Sequence, residues 1–463
     1  FARLRDWGFT YFKIDGQPPL LRTYYANAEH LTGDTEPGES PEARVNRLYR
    51  TSLAVIKETI GRDSYLLGCW GIPLPAAGLV DGCRTEDDVV QGWEGFLLAN
   101  QTTQEWMFLH NIVWYCDPDV FYVRQPLPEG VARAWATLQG LTGQALLTSD
   151  RLTDLPPDRV ELLRRIYPAV DIRPLDLYRP DNRQRRVWDL KIAHDTRRYD
   201  VVGACNFDAT AQQTLALDWM ELGLSPYAAY HVYDFWQGMY LGAWDRGISV
   251  DVPPQDARVL SLVPAGPRPT LISTSRHITQ GWVDLCEYAE TEEDGAPVLR
   301  GRSRVIGGDP YTLTVGLPRT APHWRLARAT VVGRAPGVKV TWSTHLGYAT
   351  ATFTSAGTRE VAWELRFAPD TPYRYPGGGF HLRNLTSTPL PAGDVLVQWT
   401  TPFQPFAACQ VTLDDQVAGY TFSNRAVLRT PAPGRHRLAV RVAWYDGTLG
   451  PPLEAEIDIP DHG

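Results

Sequence analysis

Two carboxylate groups near the start of the chain could together supply a nucleophile and a proton donor. Asp15 closes the apolar run Phe9-Thr-Tyr-Phe-Lys-Ile-Asp15. The adjacent residues Asp87 and Asp88 stand three and four positions after Arg84. Retaining cleavage of a glycosidic bond needs two such carboxyl groups about 5–5.5 Å apart, one ionised and one protonated. The residue types therefore suit this chemistry.

The neighbours of these carboxylates suggest which role each one takes. Lys13 lies two residues before Asp15 on the same strand face, and its charge favours the ionised form of Asp15. Asp87 and Asp88 follow Glu86, and mutual repulsion favours the protonated form of at least one of them. We therefore assign Asp15 as nucleophile and Asp88 as proton donor, with Asp87 as the competing candidate.

Each of these groups follows an apolar run that has the character of a strand. Strands are predicted over 9–15, 64–71, 79–83, 111–116 and 145–148, and helices over 40–61, 90–100, 128–141 and 158–167. This alternation indicates five βα units with a parallel sheet. Reactive groups of βα barrels gather at the carboxyl ends of the strands, which is where these carboxylates fall.

Each motif also has an ordinary structural explanation. Lys13 and Asp15 could form a simple ion pair, the acidic residues after Arg84 could begin a helix, and Asp117-Pro118-Asp119 is typical of a turn. Their recurrence at successive strand ends favours one shared site. Arg84 could then orient a substrate hydroxyl through charge-assisted hydrogen bonds.

Composition narrows the classes of partner and cofactor. The 463 residues carry a net charge of -8 without a block of Lys or Arg, so no nucleic-acid partner is expected. No apolar run reaches about 18 residues, so no membrane span is expected either. The six cysteines show no metal-ligand spacing and are expected to be thiols, which favours a cytoplasmic location. We expect neither a metal nor another cofactor.

Beyond Ile172 the sequence changes to short alternating segments with Gly and Pro turns, which indicates β-structure to the end. The predicted domains are the C-terminal part of a β/α barrel (1–171), a β-sandwich (172–290), a second β subdomain (291–370) and an immunoglobulin- or fibronectin-like sandwich (371–463). Phe1 falls in what is predicted to be the tail of a helix, so we expect the natural chain to begin upstream.

The ordered set of motifs resembles clan D glycoside hydrolases, the α-galactosidases of families 27 and 36. The resemblance is carried by Tyr11-Phe-Lys-Ile-Asp15-Gly16, Gly68-Cys69-Trp70-Gly71, Arg84-x-x-x-Asp88, Asp117-Pro-Asp119 and the stretch 271–281. It implies a (β/α)8 TIM-type barrel, of which five units are present here, followed by antiparallel β-sandwich domains. It implies that an upstream barrel half is required.

For the site, the resemblance implies a retaining, exo-acting α-galactosidase that removes terminal α-linked galactose from an oligosaccharide or glycoside. Asp15 and Asp88 would be catalytic. The substrate-binding residues would be Lys13, Cys69, Trp70, Arg84 and Asp87. The motifs are compatible with a homo-oligomer.

Three alternatives stay open. Transfer of galactose to a sugar acceptor, as in raffinose synthases, and hydrolysis of α-N-acetylgalactosamine would need the same carboxylates. A non-catalytic carbohydrate-binding protein is the alternative from another class, although such a protein would usually have lost Asp15 or Asp88.

The aromatic group Trp236, Tyr240 and Trp244 is interpreted as packing between sheets, with a sugar-binding platform as the alternative.

Overall fold

The computed structural model describes residues 1–30, 35–69, 74–85, 88–174, 185–194, 197–372, 382–400, 407–445 and 447–460. The chain divides into two compact units, Phe1–Arg185 and Arg186–Gly463. Each unit is described by itself.

The first unit alternates helices with short parallel strands. Its helices are α1 (Ala2–Asp6), α2 (Gln17–Ala26), α3 (Pro41–Ile60), α4 (Trp93–Trp106), α5 (Glu129–Thr142) and α6 (Pro157–Ile166). Its strands are β1 (Tyr11–Ile14), β2 (Tyr65–Gly68), β3 (Gly82–Arg84), β4 (Tyr115–Asp117), β5 (Val120–Phe121) and β6 (Leu147–Thr148). Strands β1 to β4 form one parallel sheet in chain order, and β5 pairs with β6 in parallel. The predicted α/β region is confirmed; within the described ranges the sheet is open, and a closed barrel stays a prediction.

Helix α3 shows how local sequence sets an element of this unit. The side chain of Ser40 accepts a hydrogen bond from the backbone N–H of Ala43 at 3.2 Å, and Pro41 occupies the first turn. Gly61 ends the helix with φ of 88°, a conformation that favours glycine. One side of the helix packs into the core through Val45, Tyr49, Leu53 and Ile60.

Two features of this unit differ from the prediction. Helix α2 was not predicted; it carries Pro18 and Pro19 in its first turn, where a missing backbone N–H leaves no hydrogen bond unmade. Between β2 and β3 the described residues form a 3-10 turn, Leu74–Ala76, and no α-helix. No helix was predicted between these two strands either, so among the described residues β2 lacks the helix that the predicted count of five βα units requires.

The second unit consists of strands, as the change of texture after Ile172 predicted. Its first strands are β7 (Val187–His194), β8 (Arg197–Asn206), β9 (Gln213–Asp218), β10 (Tyr230–Asp234), β11 (Met239–Trp244), β12 (Gly247–Val252) and β13 (Asp256–Pro264). The middle strands are β14 (Thr270–Thr274), β15 (Leu285–Glu293), β16 (Ala296–Val305), β17 (Tyr311–Gly316), β18 (Trp324–Val332), β19 (Lys339–His345), β20 (Tyr348–Thr354) and β21 (Arg359–Pro369). The last are β22 (Arg383–Pro389), β23 (Val395–Thr400), β24 (Ala407–Leu413), β25 (Gln416–Thr421), β26 (Arg425–Leu428), β27 (Gly434–Trp444) and β28 (Leu453–Ile459).

One sheet of the second unit joins strands from distant parts of the chain. Its order is β28-β27-β24-β25-β12-β9, and β12 pairs with β25 in parallel, with Ile248 opposite Tyr420. Ala408, Tyr420 and Ala443 pack in the same apolar core as Val202 and other residues of the early strands. Strand pairing therefore links the segments predicted as separate domains over 172–290 and 371–463.

The acidic run 287–294, interpreted as a solvated turn near a domain boundary, is mostly strand. Strand β15 continues to Glu293, and only Asp294 and Gly295, with φ of 50° and 75°, make the turn to β16. Positive φ at both central residues is what a tight hairpin requires, and Asp-Gly supplies it. Arg300 and Arg302 on β16 pair with Glu293 and Glu287 across the hairpin, which explains how a strand tolerates these charges. The predicted boundary at 290 thus falls inside β15.

The structure also bears on the predictions about membrane-spanning helices and about the cysteines. In the described segments, no helix has the length and apolar character to cross a membrane. All six cysteines lie in described segments and carry thiols, as predicted.

Candidate functional site

The carboxyl ends of β1 to β4 bring the predicted site residues into one row. Ile14 lies opposite Gly68, Gly68 opposite Cys83, and Cys83 opposite Cys116. The residues that follow them are Asp15, Cys69, Arg84 and Asp117, and they continue the row one position further. Paired residues of neighbouring parallel strands lie on the same face of the sheet. These four side chains therefore lie together at one edge of the sheet, the one formed by the carboxyl ends of the strands.

The thiol of Cys69 interacts with three other predicted site residues. Burial raises its pKa above the ordinary value; the charges of Arg84 and Lys13 act against that rise, and the carboxylate of Asp15 adds to it. The Arg84 guanidinium is 3.5 Å from the sulfur. Lys13, Asp15, Cys69 and Arg84 therefore form one electrostatic cluster, although they come from three strands.

Arg84 is the buried centre of this cluster. Its side chain is 1% exposed, and its guanidinium lies 2.7 Å from a carboxylate oxygen of Asp119 and 3.4 Å from one of Asp88. Burial lowers the pKa of Arg84, but Asp119 and Asp117 outweigh burial and raise it above its ordinary value. A guanidinium surrounded by carboxylates in this way acts by positioning those carboxylates.

The segment Asp117-Pro118-Asp119 has a larger part in the site than the sequence suggested. The backbone N–H of Asp119 donates to the Asp117 carboxylate at 2.8 Å, and Asp119 adopts φ of 64°. The Asp119 oxygen that contacts Arg84 also accepts from the backbone N–H of Val89 at 2.9 Å, which ties this turn to the segment that carries Asp88. Asp117 is buried, and burial raises its pKa while Arg84 opposes the rise. Two carboxylates around a proline at a strand end were the sequence signal for these partners of Arg84.

Asp15 lies at the exposed end of β1 and leads into helix α2. One of its carboxylate oxygens accepts from the N–H of Gly16 at 2.6 Å. Its carbonyl accepts from the side chain of Gln17 at 3.0 Å, and Tyr49 donates to Gln17 at 3.2 Å. Gly16 has φ of 68°, so the chain turns sharply here. This arrangement presents the Asp15 carboxylate to solvent beside the positive end of a helix dipole.

Among the described residues, Arg84 holds Asp88 at one carboxylate oxygen. The side chain of Asp88 is 90% exposed, and its contact with the guanidinium of Arg84 orients it toward the same edge of the sheet. Trp70 and Asp87, also predicted as site residues, lie outside the described residues. Where the structure describes the chain, no group of three or more His, Cys, Asp or Glu side chains is arranged to hold a metal ion. The site thus offers two solvent-facing carboxylates around a buried cation.

Comparison with known families connects the second unit to carbohydrate-active enzymes. Residues 184–262, which include β7 to β12 and most of β13, match the family described as the alpha galactosidase C-terminal beta sandwich domain.

Solved structures give partial likenesses only. A family 27 β-L-arabinopyranosidase from Geobacillus stearothermophilus is 16% identical, with a TM-score of 0.41 over 57% of this chain and 60% of that one. Alpha-galactosidase I from Mortierella vinacea is 14% identical, with a TM-score of 0.38 over 56% of this chain and 69% of that one. An Arthrobacter globiformis T6 isomalto-dextranase is 14% identical, with a TM-score of 0.39 over 79% and 70%. The chain spans about 60% of the arabinopyranosidase.

The family match begins in the sequence directly after the α/β unit that carries the strand-end carboxylates. A β-sandwich that follows a barrel is the order of domains that the motifs implied. The match over residues 184–262 therefore confirms the predicted resemblance of this chain to clan D glycoside hydrolases of the α-galactosidase type.

Proposed function

We propose that this chain contributes the catalytic carboxylates of a retaining, exo-acting α-galactosidase. The observation that carries the proposal is that Asp15 and the Arg84–Asp88 segment follow β1 and β3, which both pair with β2 in one parallel sheet. The match of residues 184–262 to an α-galactosidase sandwich domain supports the choice of sugar. The substrate would be an oligosaccharide or glycoside with a terminal α-linked galactose.

In the first step the Asp15 carboxylate attacks the anomeric carbon and forms a covalent bond to it. The bond between that carbon and the glycosidic oxygen breaks, and Asp88 gives its proton to the departing oxygen. In the second step Asp88, now ionised, takes a proton from water as the water oxygen bonds to the anomeric carbon. The bond to Asp15 breaks, and the two inversions leave the configuration retained.

Arg84 would assist by holding the Asp88 loop. Its guanidinium contacts Asp88 while Asp119 and Asp117 balance its charge. Lys13 and Cys69 stand beside the same edge, where they would contact the sugar hydroxyls.

The experiment supplies this chain with the upstream barrel half that the resemblance implies, replaces each carboxylate, and determines the stereochemistry of the products that azide rescue gives. Asp15→Ala should lower turnover of an aryl α-galactoside by about 10³-fold or more, because the nucleophile is removed. Added azide should then give the β-galactosyl azide, the product of a single inversion. Asp88→Ala should slow substrates with poor leaving groups most, and azide should give the α-galactosyl azide.

Asp63→Ala is the matched control, since Asp63 is an exposed aspartate of the same unit. It should keep the activity of the unmodified chain. Unchanged turnover in Asp15→Ala would contradict the nucleophile assignment, and a β-azide from Asp88→Ala would contradict the acid–base assignment.

A further inference from the structure

A cavity of about 450 Å³ lies in the second unit, apart from the carboxylate cluster of the first. Its wall combines strand β11, the turn between β19 and β20, the residue after β25 and the residue after β27. Six rings line it, namely those of Tyr240, Trp244, His345, Tyr348, Phe422 and Tyr445. Sites for small organic ligands typically measure about 300–1,000 Å³, and this cavity falls in that range.

The rings that line the cavity contact one another at several angles. Tyr240 lies 5.1 Å from Tyr348 at 40° and 6.4 Å from Tyr445 at 63° between ring centroids and planes. His345 stacks on Tyr348 at 4.6 Å. Phe422 is 40% exposed and meets Trp244 nearly edge to face at 6.0 Å. The wall is therefore a set of aromatic surfaces that solvent reaches at the Phe422 side.

Two glycines allow the walls to take this form. Gly242 has φ of 94°, and a β-carbon there would lie 2.6 Å from the indole nitrogen of Trp244. Gly347 has φ of 82°, and a β-carbon there would collide with the ring of Tyr445. Arg319 contacts two residues of the wall. Its guanidinium stacks 4.9 Å from the Trp244 ring and donates a hydrogen bond to the carbonyl of Tyr445 at 3.2 Å. These contacts set the positions of the Trp244 and Tyr445 rings in the wall.

The chemistry of the wall selects an uncharged ligand with both apolar faces and polar edges. Among the described residues, those that line the cavity include no Asp, Glu, Lys or Arg, so nothing there would compensate an ionic group. Polar groups stand at the ring edges: the Tyr348 hydroxyl has no hydrogen-bond partner in the described part of the chain, and His345 bonds Ser343 at 2.6 Å through one ring nitrogen. Pyranose rings combine C–H faces that stack on aromatic rings with a rim of hydroxyls.

We infer that this cavity is a second carbohydrate-binding site, for a neutral pyranose unit of an oligosaccharide or polysaccharide. Phe422, which is 40% exposed, supplies the stacking face, and the Tyr348 hydroxyl and the His345 imidazole bond the sugar hydroxyls. The site goes beyond the proposed hydrolysis, since it requires no catalytic carboxylate. Binding at this site would hold the chain on a carbohydrate that carries many sugar units.

Binding is measured by titration calorimetry with raffinose and by affinity electrophoresis in soluble galactomannan, on the whole chain carrying Asp15→Ala so that no turnover occurs. Phe422→Ala and Tyr348→Ala should each weaken binding by about tenfold, the scale of losing one aromatic contact. Trp342→Ala is the matched control, because Trp342 is 43% exposed on β19 and does not line the cavity. Melting curves establish that each variant is folded.

Raffinose binding that Trp342→Ala keeps and both cavity variants weaken supports the site. The inference is overturned if no binding is found up to about 20 mM, weaker than any useful affinity, or if all three variants bind alike. It is also overturned if the cavity takes up an apolar dye that raffinose does not displace. A chain that binds raffinose through Phe422 yet hydrolyses no galactoside when the upstream barrel half is supplied contradicts the proposed function alone. An active chain without binding through Phe422 contradicts the second site alone.

Discussion

Each unit of the molecule contains a cluster of charged and polar side chains with a buried centre. The two clusters differ in whether their outermost side chain is exposed to solvent. In the first unit Arg84 is buried between Asp119 and Asp117, but the cluster continues to Asp88, which is 90% exposed. In the second unit Asp284 is 1% exposed and accepts a hydrogen bond from the hydroxyl of Tyr311 at 2.7 Å. That cluster continues through Ser303 and Trp363, which are buried as well.

The difference separates a site from a structural network. A buried charge costs free energy unless its partners satisfy it. Arg84 has carboxylate partners, whereas one oxygen of Asp284 has no hydrogen-bond partner among the described residues. Only the first delivers carboxylates to solvent, where a substrate can reach them. The second ends inside the core between β15, β16, β17 and β21, so its polar groups fix the packing of those strands. We therefore expect the cluster whose outermost carboxylate is exposed to be the functional one, whereas burial at the centre is common to both.

The units also differ in the range of their strand pairing. Strands β1 to β4 pair with their neighbours in the chain. In the second unit β12 pairs with β25, and Ser423 donates to Asp251, 172 residues earlier, at 2.6 Å. The second unit should therefore lose stability as a whole when either end is removed, whereas replacements in the first should act at the site.

The largest expected effect comes from ending the chain after Pro369. This removes β22 to β28 and exposes the core around Trp244, which stacks on Tyr420 at 4.6 Å. Loss of burial on this scale should cost more than about 3 kcal/mol of unfolding free energy and broaden thermal unfolding of the second unit. Calorimetry measures it. A truncated chain with the melting temperature of the whole chain would show that the last strands are an independent domain.

Arg84→Met should have the next largest effect and should act on both stability and activity. It leaves the buried Asp117 and the half-buried Asp119 without their cation, and removing one partner of a fully buried pair costs about 3–5 kcal/mol. It also frees the Asp88 loop, so kcat should fall on an aryl α-galactoside. Arg151→Met is the control, because that side chain is 81% exposed. Equal melting temperatures for Arg84→Met and the unmodified chain would remove the distinction between the clusters.

Asp284→Ala should affect stability alone, and to a smaller extent. The hydroxyl of Tyr311 loses one buried acceptor but keeps Ser303, so the cost should be about 1–3 kcal/mol. Denaturant unfolding measures this cost, and kcat on the aryl galactoside should stay unchanged because the cluster has no exposed end. A loss of kcat in a folded Asp284→Ala chain would contradict the assignment of this network as structural.

The smallest effect is the pH dependence that Asp284 contributes. Burial raises its pKa above the ordinary value of 3.8, and the hydrogen bond from Tyr311 only partly opposes this. The folded state therefore holds the proton where the unfolded state has released it, so stability from this group falls as pH rises above 3.8 through the raised folded pKa. The difference in unfolding free energy between Asp284→Asn and the unmodified chain should change in favour of the variant across that window. A difference independent of pH would mean that burial does not raise this pKa.

Much of the first unit could be predicted because its signals are local. Ser40, Pro41 and Gly61 bound helix α3 through hydrogen bonds and dihedral angles set within a few residues. Short apolar runs gave the parallel strands, and strand order then put Asp15, Cys69 and Arg84 at one edge. The same reasoning missed the hairpin at Asp294-Gly295, because eight residues dense in acidic side chains look like a solvated loop unless the facing arginines of β16 are known.

What the sequence by itself determined is therefore the type of most elements in the α/β unit, helix α2 excepted, the β character of the remainder, and the set of groups at the strand ends. Only the tertiary structure decided that Asp119 holds Arg84, that β25 completes a sheet begun by β12, and that Tyr240, Tyr348 and Tyr445 face one cavity. The physical reason is the range of the interactions. Caps, turns and periodicity act over a few residues, whereas these contacts depend on which distant surfaces exclude water together, and no short pattern records that pairing.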